Sequence, residues 1–155
     1  MHDYEKTGAL KESDLALPSK DQYNKGVAII ECIQNIPCNP CVDACPFGAI
    51  TMKDINSPPE IDYNTCTGCT KCIGVCPGLA IFVVKTEEEW ATITLPYEFF
   101  PLPQKGDTVI ALDRYGKEAG EVPVIKSRKQ GKTGIVTIKV SNEQKNSIRN
   151  IRVIT

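Results

Sequence analysis

Short runs rich in β-branched residues recur along the second half of the chain: ATITL (91–95), DTVIAL (107–112), EVPVIKS (121–127), GIVTIKV (134–140) and IRNIRVI (148–154). Between them stand the turn signals Pro101-Leu102-Pro103, Tyr115-Gly116-Lys117, Gln130-Gly131-Lys132 and Ser141-Asn142. Short strands at such regular spacing predict a small all-β, barrel-like unit over 91–155. Ser141-Asn142-Glu143-Gln144 has the residues to cap one helical turn before the last strand. Upstream the apolar runs are shorter. VAIIE (27–31) reads as a strand, Ala49-Ile50 and Ala80-Ile81 as short apolar strands, and Ile61-Asp62-Tyr63-Asn64 as a strand and turn. Residues 1–26 are polar and contain Pro18 and Gly26, which predicts a loosely ordered arm free to wrap a partner or the body of the protein. Glu87-Glu88-Glu89 reads as a solvated turn, and Phe99-Phe100-Pro101-Leu102-Pro103 first as a packed linker and second as a partner contact. The expected division is therefore an arm (1–26), a first module (27–90) and a second (91–155).

The first module carries all eight cysteines, between Cys32 and Cys76. Cys66, Cys69 and Cys72 are separated by two residues each, and Cys76 follows after three more with Pro77 behind it. A cubane of iron and sulfide needs soft thiolates converging on its iron corners, and gaps of two let one tight loop turn three of them inward. Gly68 and Gly74 suit the backbone angles of such a wrap. The same gaps recur in Cys38, Cys41, Cys45 and Pro46, shifted by 31 residues, and the match continues from Ala49-Ile50 to Ala80-Ile81. This is an internal duplication. One ligand departs from it: the equivalent of Cys66 is Asn35, and the nearest upstream thiol is Cys32, with Ile36 and Pro37 in an enlarged loop. Either Cys32 ligates across that loop or the first cluster has three protein thiolates and is 3Fe-4S. Eight cysteines fill the eight sites of two cubanes, and a longer loop adds little closure entropy, which favours the first reading.

The span from about Val27 to Val84 resembles the bacterial-type 2x 4Fe-4S ferredoxin domain. The resemblance implies crossed ligation: cluster I on Cys32, Cys38, Cys41 and Cys76, cluster II on Cys45, Cys66, Cys69 and Cys72. The fold class expected is α+β, a ferredoxin-like two-cluster domain followed by the small barrel-like one. The whole chain is similar to the small iron–sulfur subunits of flavoprotein dehydrogenases that act on proline, hydroxyproline or opines. The segments that carry this likeness are ECIQNIPCNPCVDACPFGAI and ITLPYEFFPLPQKGDTVIALDRYGKEAGEVPVIK. It implies FAD- or FMN-containing partner subunits in a hetero-oligomer, with flavin only on those partners, and a non-catalytic electron relay in this chain.

Composition narrows the alternatives. At 155 residues and 41% hydrophobic content the chain has no apolar run long enough for a membrane span, and its N-terminus lacks the apolar core of a secretory signal. A cytoplasmic protein is expected, and a disulfide-stapled secreted domain is not. The net charge of −1 hides an asymmetry. Residues 1–90 hold 7 lysines and no arginine against 13 acids, and residues 91–155 hold 11 basic residues against 6 acids, balances of −6 and +5. The acidic half suits a second reading, a diffusing ferredoxin with a fused docking module. A third is a zinc-bearing nucleic-acid module, with Lys126, Arg128, Lys129 and Lys132 as a phosphate-binding loop. That loop lacks interleaved aromatics, a solvated hairpin tip is the simpler reading, and zinc leaves the third cysteine of each run unexplained. No nucleic-acid partner is expected. There is no nucleophile–base pair, the glycines are scattered turn glycines, and the one histidine, His2, is assigned no role in the terminal tail.

Phe47, Tyr63 and Ile73 are candidates for shielding the clusters from water, as well as for simple packing. Clusters in so short a module replace much of the core it cannot build. Chelation of the metal is therefore expected to leave the protein largely unfolded, read by circular dichroism. Native secondary structure retained without iron would refute this.

Overall fold

The computed structural model of the chain describes residues 3–33 and 35–154. His2 lies outside the described residues. The apolar runs become the strands β1 (Val27–Ile30), β2 (Ile50–Thr51), β3 (Glu60–Ile61), β4 (Ile81–Thr86), β5 (Trp90–Tyr97), β6 (Thr108–Asp113), β7 (Glu118–Gln130), β8 (Thr133–Ser141) and β9 (Ile148–Val153). Short helices stand at α1 (Tyr4–Thr7), α2 (Lys20–Lys25) and α3 (Pro40–Ala44). The five strands expected after Ala91 all form. Ser141 caps the expected 3-10 turn at Asn142–Gln144, with Gln144 reaching back to the Ser141 N–H.

Seven strands make one antiparallel sheet in the order β1-β4-β5-β8-β7-β6-β9, and β2 pairs with β3 separately. Side chains on a strand alternate between faces, so each row of registered partners lies on one side of the sheet. The row Val84, Ile93, Ile138 and Val124 is buried in the main core with Leu95, Val109, Val136 and Ile148. β7 carries a register shift between Val124 and Lys126; its first half pairs with β6 and its second with β8. Such a bulge bends the strand and lets the sheet curl. The curl brings β9 back to pack against β5, but the sheet stays open, with β1 and β9 as its edges.

Three expectations change. The two modules do not form separate sheets: β4 of the first pairs with β5 of the second, from Val83↔Thr94 to Thr86↔Ala91. One apolar core likewise takes in Ile29, Phe82 and Val84 with Ile93, Val136 and Ile151. The N-terminal arm is docked as well. Ser19 and Gln22 form a capping box that starts α2, which buries Tyr23 in the main core. Lys25 donates to the carbonyls of Tyr63 and Asn64 at 2.9 Å. In the linker, Phe99 and Phe100 are exposed, at 69% and 84%. Leu102 takes the inward place against Gly134, where a Cβ would stand 2.4 Å from Leu102 Cδ1.

A buried ion triad ties the two halves together. Glu31, at the end of β1, accepts from Arg114 through both carboxylate oxygens, at 2.7 and 3.0 Å, and from Nε of Arg149. The three side chains are 7%, 10% and 4% exposed. Burial pushes the Glu31 carboxyl up, but the hydrogen bonds and charge of the two guanidiniums outweigh it and hold the group below the ordinary carboxylate range. Arg149 also donates to the carbonyls of Lys145 and Ile148 at 2.7 Å and lies 5.2 Å from the Phe82 ring centre. Removing one charge from such a group leaves the others buried without compensation. Glu31→Gln is expected to lower stability by about 3 kcal/mol, read as the urea midpoint of the full chain. An unchanged midpoint would show that the two arginines are satisfied elsewhere.

Candidate iron–sulfur site

Strand pairing sets the geometry of the site. β1 leads into the first ligand run and β4 leads out of the second, and they pair antiparallel from Val27↔Val84 to Ile30↔Ile81. Cys32 and Cys76 are thus delivered at the same end of the sheet. β2 leads out of the first run and β3 into the second, and their pairing, Ile50↔Ile61, does the same for Cys45 and Cys66. The hydrogen bonds repeat at the shift seen in the sequence. Glu31 N–H donates to the Ala80 carbonyl at 2.7 Å and Asp62 N–H to the Ala49 carbonyl at 2.8 Å. Gly48 and Leu79, at equivalent places behind Cys45-Pro46 and Cys76-Pro77, both have positive φ, 68° and 53°.

The thiols fall into two neighbourhoods. Burial, with the nearby Cys76 and Cys32 sulfurs adding to it, pushes the Cys41 thiol up to about 11. Burial, with Cys66, Cys69 and Cys45 adding to it, pushes Cys72 up to about 12. Cys45, Cys66, Cys69 and Cys72 also line one cavity with Ala28, Ile50 and Val83. Cys38 is half-buried, two residues before α3, and Cys69 is exposed. Metal binding to Cys41 and Cys72 therefore displaces protons from them at neutral pH.

Backbone amides already point at three sulfurs. Ala28 N–H donates to Cys66 Sγ at 3.3 Å, Ala49 N–H to Cys45 Sγ at 3.4 Å and Ala80 N–H to Cys76 Sγ at 3.4 Å. Such N–H···S contacts favour thiolate and help to set the potential of a bound cluster. Among the described residues no three or more His, Cys, Asp or Glu side chains gather closely enough for a single metal ion. A cluster is several ångströms across and takes its thiolates from around its perimeter, so soft sulfur donors with amides beside them fit it.

The second half of the chain clasps the second cysteine run through β7. Arg128 Nη2 donates to the Thr70 hydroxyl at 2.6 Å, and Gln130 Nε2 to the Lys71 carbonyl at 3.0 Å. Thr70 holds a positive φ of 71°. At Gly74 a Cβ would stand 2.4 Å from Gln130 Cδ. Arg128 thus braces the ligand loop; it is not free at a hairpin tip. Local patterns carry no sign of this contact or of the Glu31 triad, because both join residues more than 50 positions apart. Of the three candidate shields, Ile73 is fully buried and Tyr63 packs beside it, its hydroxyl donating to the Ala16 carbonyl, whereas Phe47 is half exposed.

Residues 31–80 match the family model described as a 4Fe-4S dicluster domain. Among curated proteins, the chain is 42% identical over 53 residues to the pyruvate synthase subunit PorD of Methanocaldococcus jannaschii, 34% of this chain and 60% of that protein. It is 42% identical over 53 residues to the isethionate sulfite-lyase activating enzyme of Desulfovibrio desulfuricans, 34% of this chain and 17% of that protein. A third similarity, 42% over 38 residues, is to the thiosulfate reductase electron transfer subunit PhsB of Salmonella typhi, 24% of this chain and 19% of that protein. The chain thus spans from about a sixth to three fifths of these relatives' lengths. No solved structure matches the chain significantly. The strand pairing, the thiols and the family match together define a 4Fe-4S dicluster ferredoxin domain. Its chemistry is that of an iron–sulfur electron-transport module.

Gly68 tests how tightly the second loop is built. Its φ is +70°, and a Cβ there would lie 2.8 Å from the Gly26 carbonyl oxygen. The obstacle is backbone, so it cannot swing away. Gly68→Ala is expected to cut iron retention at the second cysteine run by about half or more while strands β5 to β9 persist. Full iron content in the purified variant would contradict this.

Proposed function

We propose that the chain is an iron–sulfur electron-transfer subunit of an oxidoreductase complex, with cluster I on Cys32, Cys38, Cys41 and Cys76 and cluster II on Cys45, Cys66, Cys69 and Cys72. One observation carries the reading: strand pairing brings the ends of the two cysteine runs together, β1 with β4 beside Cys32 and Cys76 and β2 with β3 beside Cys45 and Cys66, and Cys45, Cys66, Cys69 and Cys72 line one cavity. Each cluster, when bound, takes up and returns one electron. The protein's part is to hold and tune. The amides of Ala28, Ala49 and Ala80 face sulfur, and Ile73 and Tyr63 keep water from it. Among the described residues no helix is long and apolar enough to cross a membrane.

The finer reading is that flavin-bearing dehydrogenase subunits oxidise an amino or imino acid and this chain relays the electrons. It is supported by the enlarged Cys32–Cys38 loop and by the segment from Ile93 to Lys126, which builds β5, β6 and most of β7. Two relatives whose names are those of oxidoreductase subunits, the pyruvate synthase and thiosulfate reductase ones, support the coarser statement alone.

Anaerobic purification from the native host, with iron, sulfide and flavin assayed on the co-purifying chains, tests both levels. About eight iron per chain with flavoprotein subunits retained at high salt is expected. Eight iron without a partner would make the chain a diffusing carrier, seven would take Cys32 out of the ligand set, and zinc would overturn the assignment. Crossed ligation has its own test in electron paramagnetic resonance. Cys76→Ser is expected to alter the same cluster signal as Cys41→Ser, and to leave the signal altered by Cys72→Ser unchanged.

A further inference from the structure

The main sheet has a second face that no element among the described residues fully covers. The rows that alternate with the buried ones read Lys85, Thr92, Lys139 and Val83, Thr94, Thr137, Lys126, from β4 across β5 and β8 to β7. The cluster-II loop covers one end of this face, packing Ile73 and Cys72 into one apolar group with Val83 and Ile135. Below the loop lies an open groove of about 890 Å³. Lys25, Lys85, Lys126 and Arg128 line it, with Glu87 the one carboxylate among its lining residues and the exposed thiol of Cys69 at its edge. Four cations against one acid give a lining of +3, in a chain whose net charge is −1. The middle of the face is hydroxyl, with Thr94 and Thr137 hydrogen-bonded to each other at 2.8 Å.

We propose that this groove docks an acidic surface of the protein partner of cluster II. The inference rests on the electron-transfer reading and names the face through which the partner seats. Charge complementarity carries it: exposed cations in two registered rows, on strands spaced by about 4.8 Å, present a fixed pattern to carboxylates about 15 Å across. An acidic surface seated there lies against the loop that holds Cys69. A nucleic acid is the less suited polyanion. Base stacking needs open aromatic faces, and the aromatic residue lining the groove, Trp90, has Lys139 Nζ 4.6 Å above its ring.

Zero-length carbodiimide cross-linking of the complex isolated from the host, with the products mapped by mass spectrometry, tests this on the intact assembly. Lys85, Lys126 and Lys139 are expected to join to Asp or Glu side chains of the co-purifying subunit. Cross-links confined to lysines off this face, such as Lys53, Lys105 and Lys117, would overturn the docking site and leave the electron-transfer reading standing. Absence of any co-purifying subunit would overturn the subunit reading, making the chain a diffusing carrier, and the docking site with it. Release of the complex by nuclease, or retardation of a single-stranded oligonucleotide by the holoprotein, would assign the groove to nucleic acid instead. In the reconstituted holoprotein, Lys126→Glu with Lys139→Glu alters only exposed positions. It is expected to weaken association with the purified partner about tenfold at low salt, with the difference shrinking as salt rises. Lys117→Glu is the control. Equal affinity of the double variant and the control, with iron content unchanged, would also sink the proposal.

Discussion

The structure depends on how two strand pairs exchange the ends of the two ligand runs. Each run is flanked by one strand before it and one after, and each pairing joins the strand before one run to the strand after the other: β1 with β4, β3 with β2. A run closed by its own flanking strands would keep its last cysteine at home. The exchange instead delivers Cys76 at the end of the sheet where Cys32 leaves β1, and Cys45 to the cavity lined by Cys66 and Cys72. The cost is mutual dependence. Neither neighbourhood of thiols is complete until both runs and all four strands are in place, so these elements are expected to order together once metal supplies the binding free energy.

The enlarged Cys32–Cys38 loop fits this scheme because pairing, not loop length, positions Cys32. Glu31 N–H is fastened to the Ala80 carbonyl just as Asp62 N–H is to Ala49. The three residues by which this loop exceeds its repeat therefore fall after a fixed point, and Ile36 within the loop is exposed.

The repeat of the cysteine runs was legible in the sequence, as were the strands from Ala91 on, because spacing and β-branched runs are local signals. Three features were not. Ser19-x-x-Gln22 is a capping box inside a polar stretch, and what orders the segment is Tyr23 reaching the main core, a contact no local pattern carries. The division after Trp90 followed a change in composition, yet hydrogen bonding crosses it, since Lys85 and Thr86 pair with Thr92 and Ala91 over the turn that holds the three glutamates. Leu102 and the two phenylalanines beside it are equally apolar in sequence. Only the space beside Gly134 decides that the leucine turns inward and the rings stay out.

The opposite charges of the two halves then acquire a division of labour. Part of the excess is consumed inside the molecule, where Glu31 of the acidic half neutralises one of the two guanidiniums that Arg114 and Arg149 bring from the basic half. Arg128 directs its donors to Thr70 and Gln130, holding the loop of the second cysteine run. Of the cations left over, Lys126 and Lys139 stand in the registered rows beside Lys85, where the strand period repeats them on one side of the sheet. A strand exposing alternate cations to water gains little stability from them, since exposed charges are well screened. Their placement on one face, next to the loop of the exposed thiol, is what the proposed docking of an acidic partner draws on.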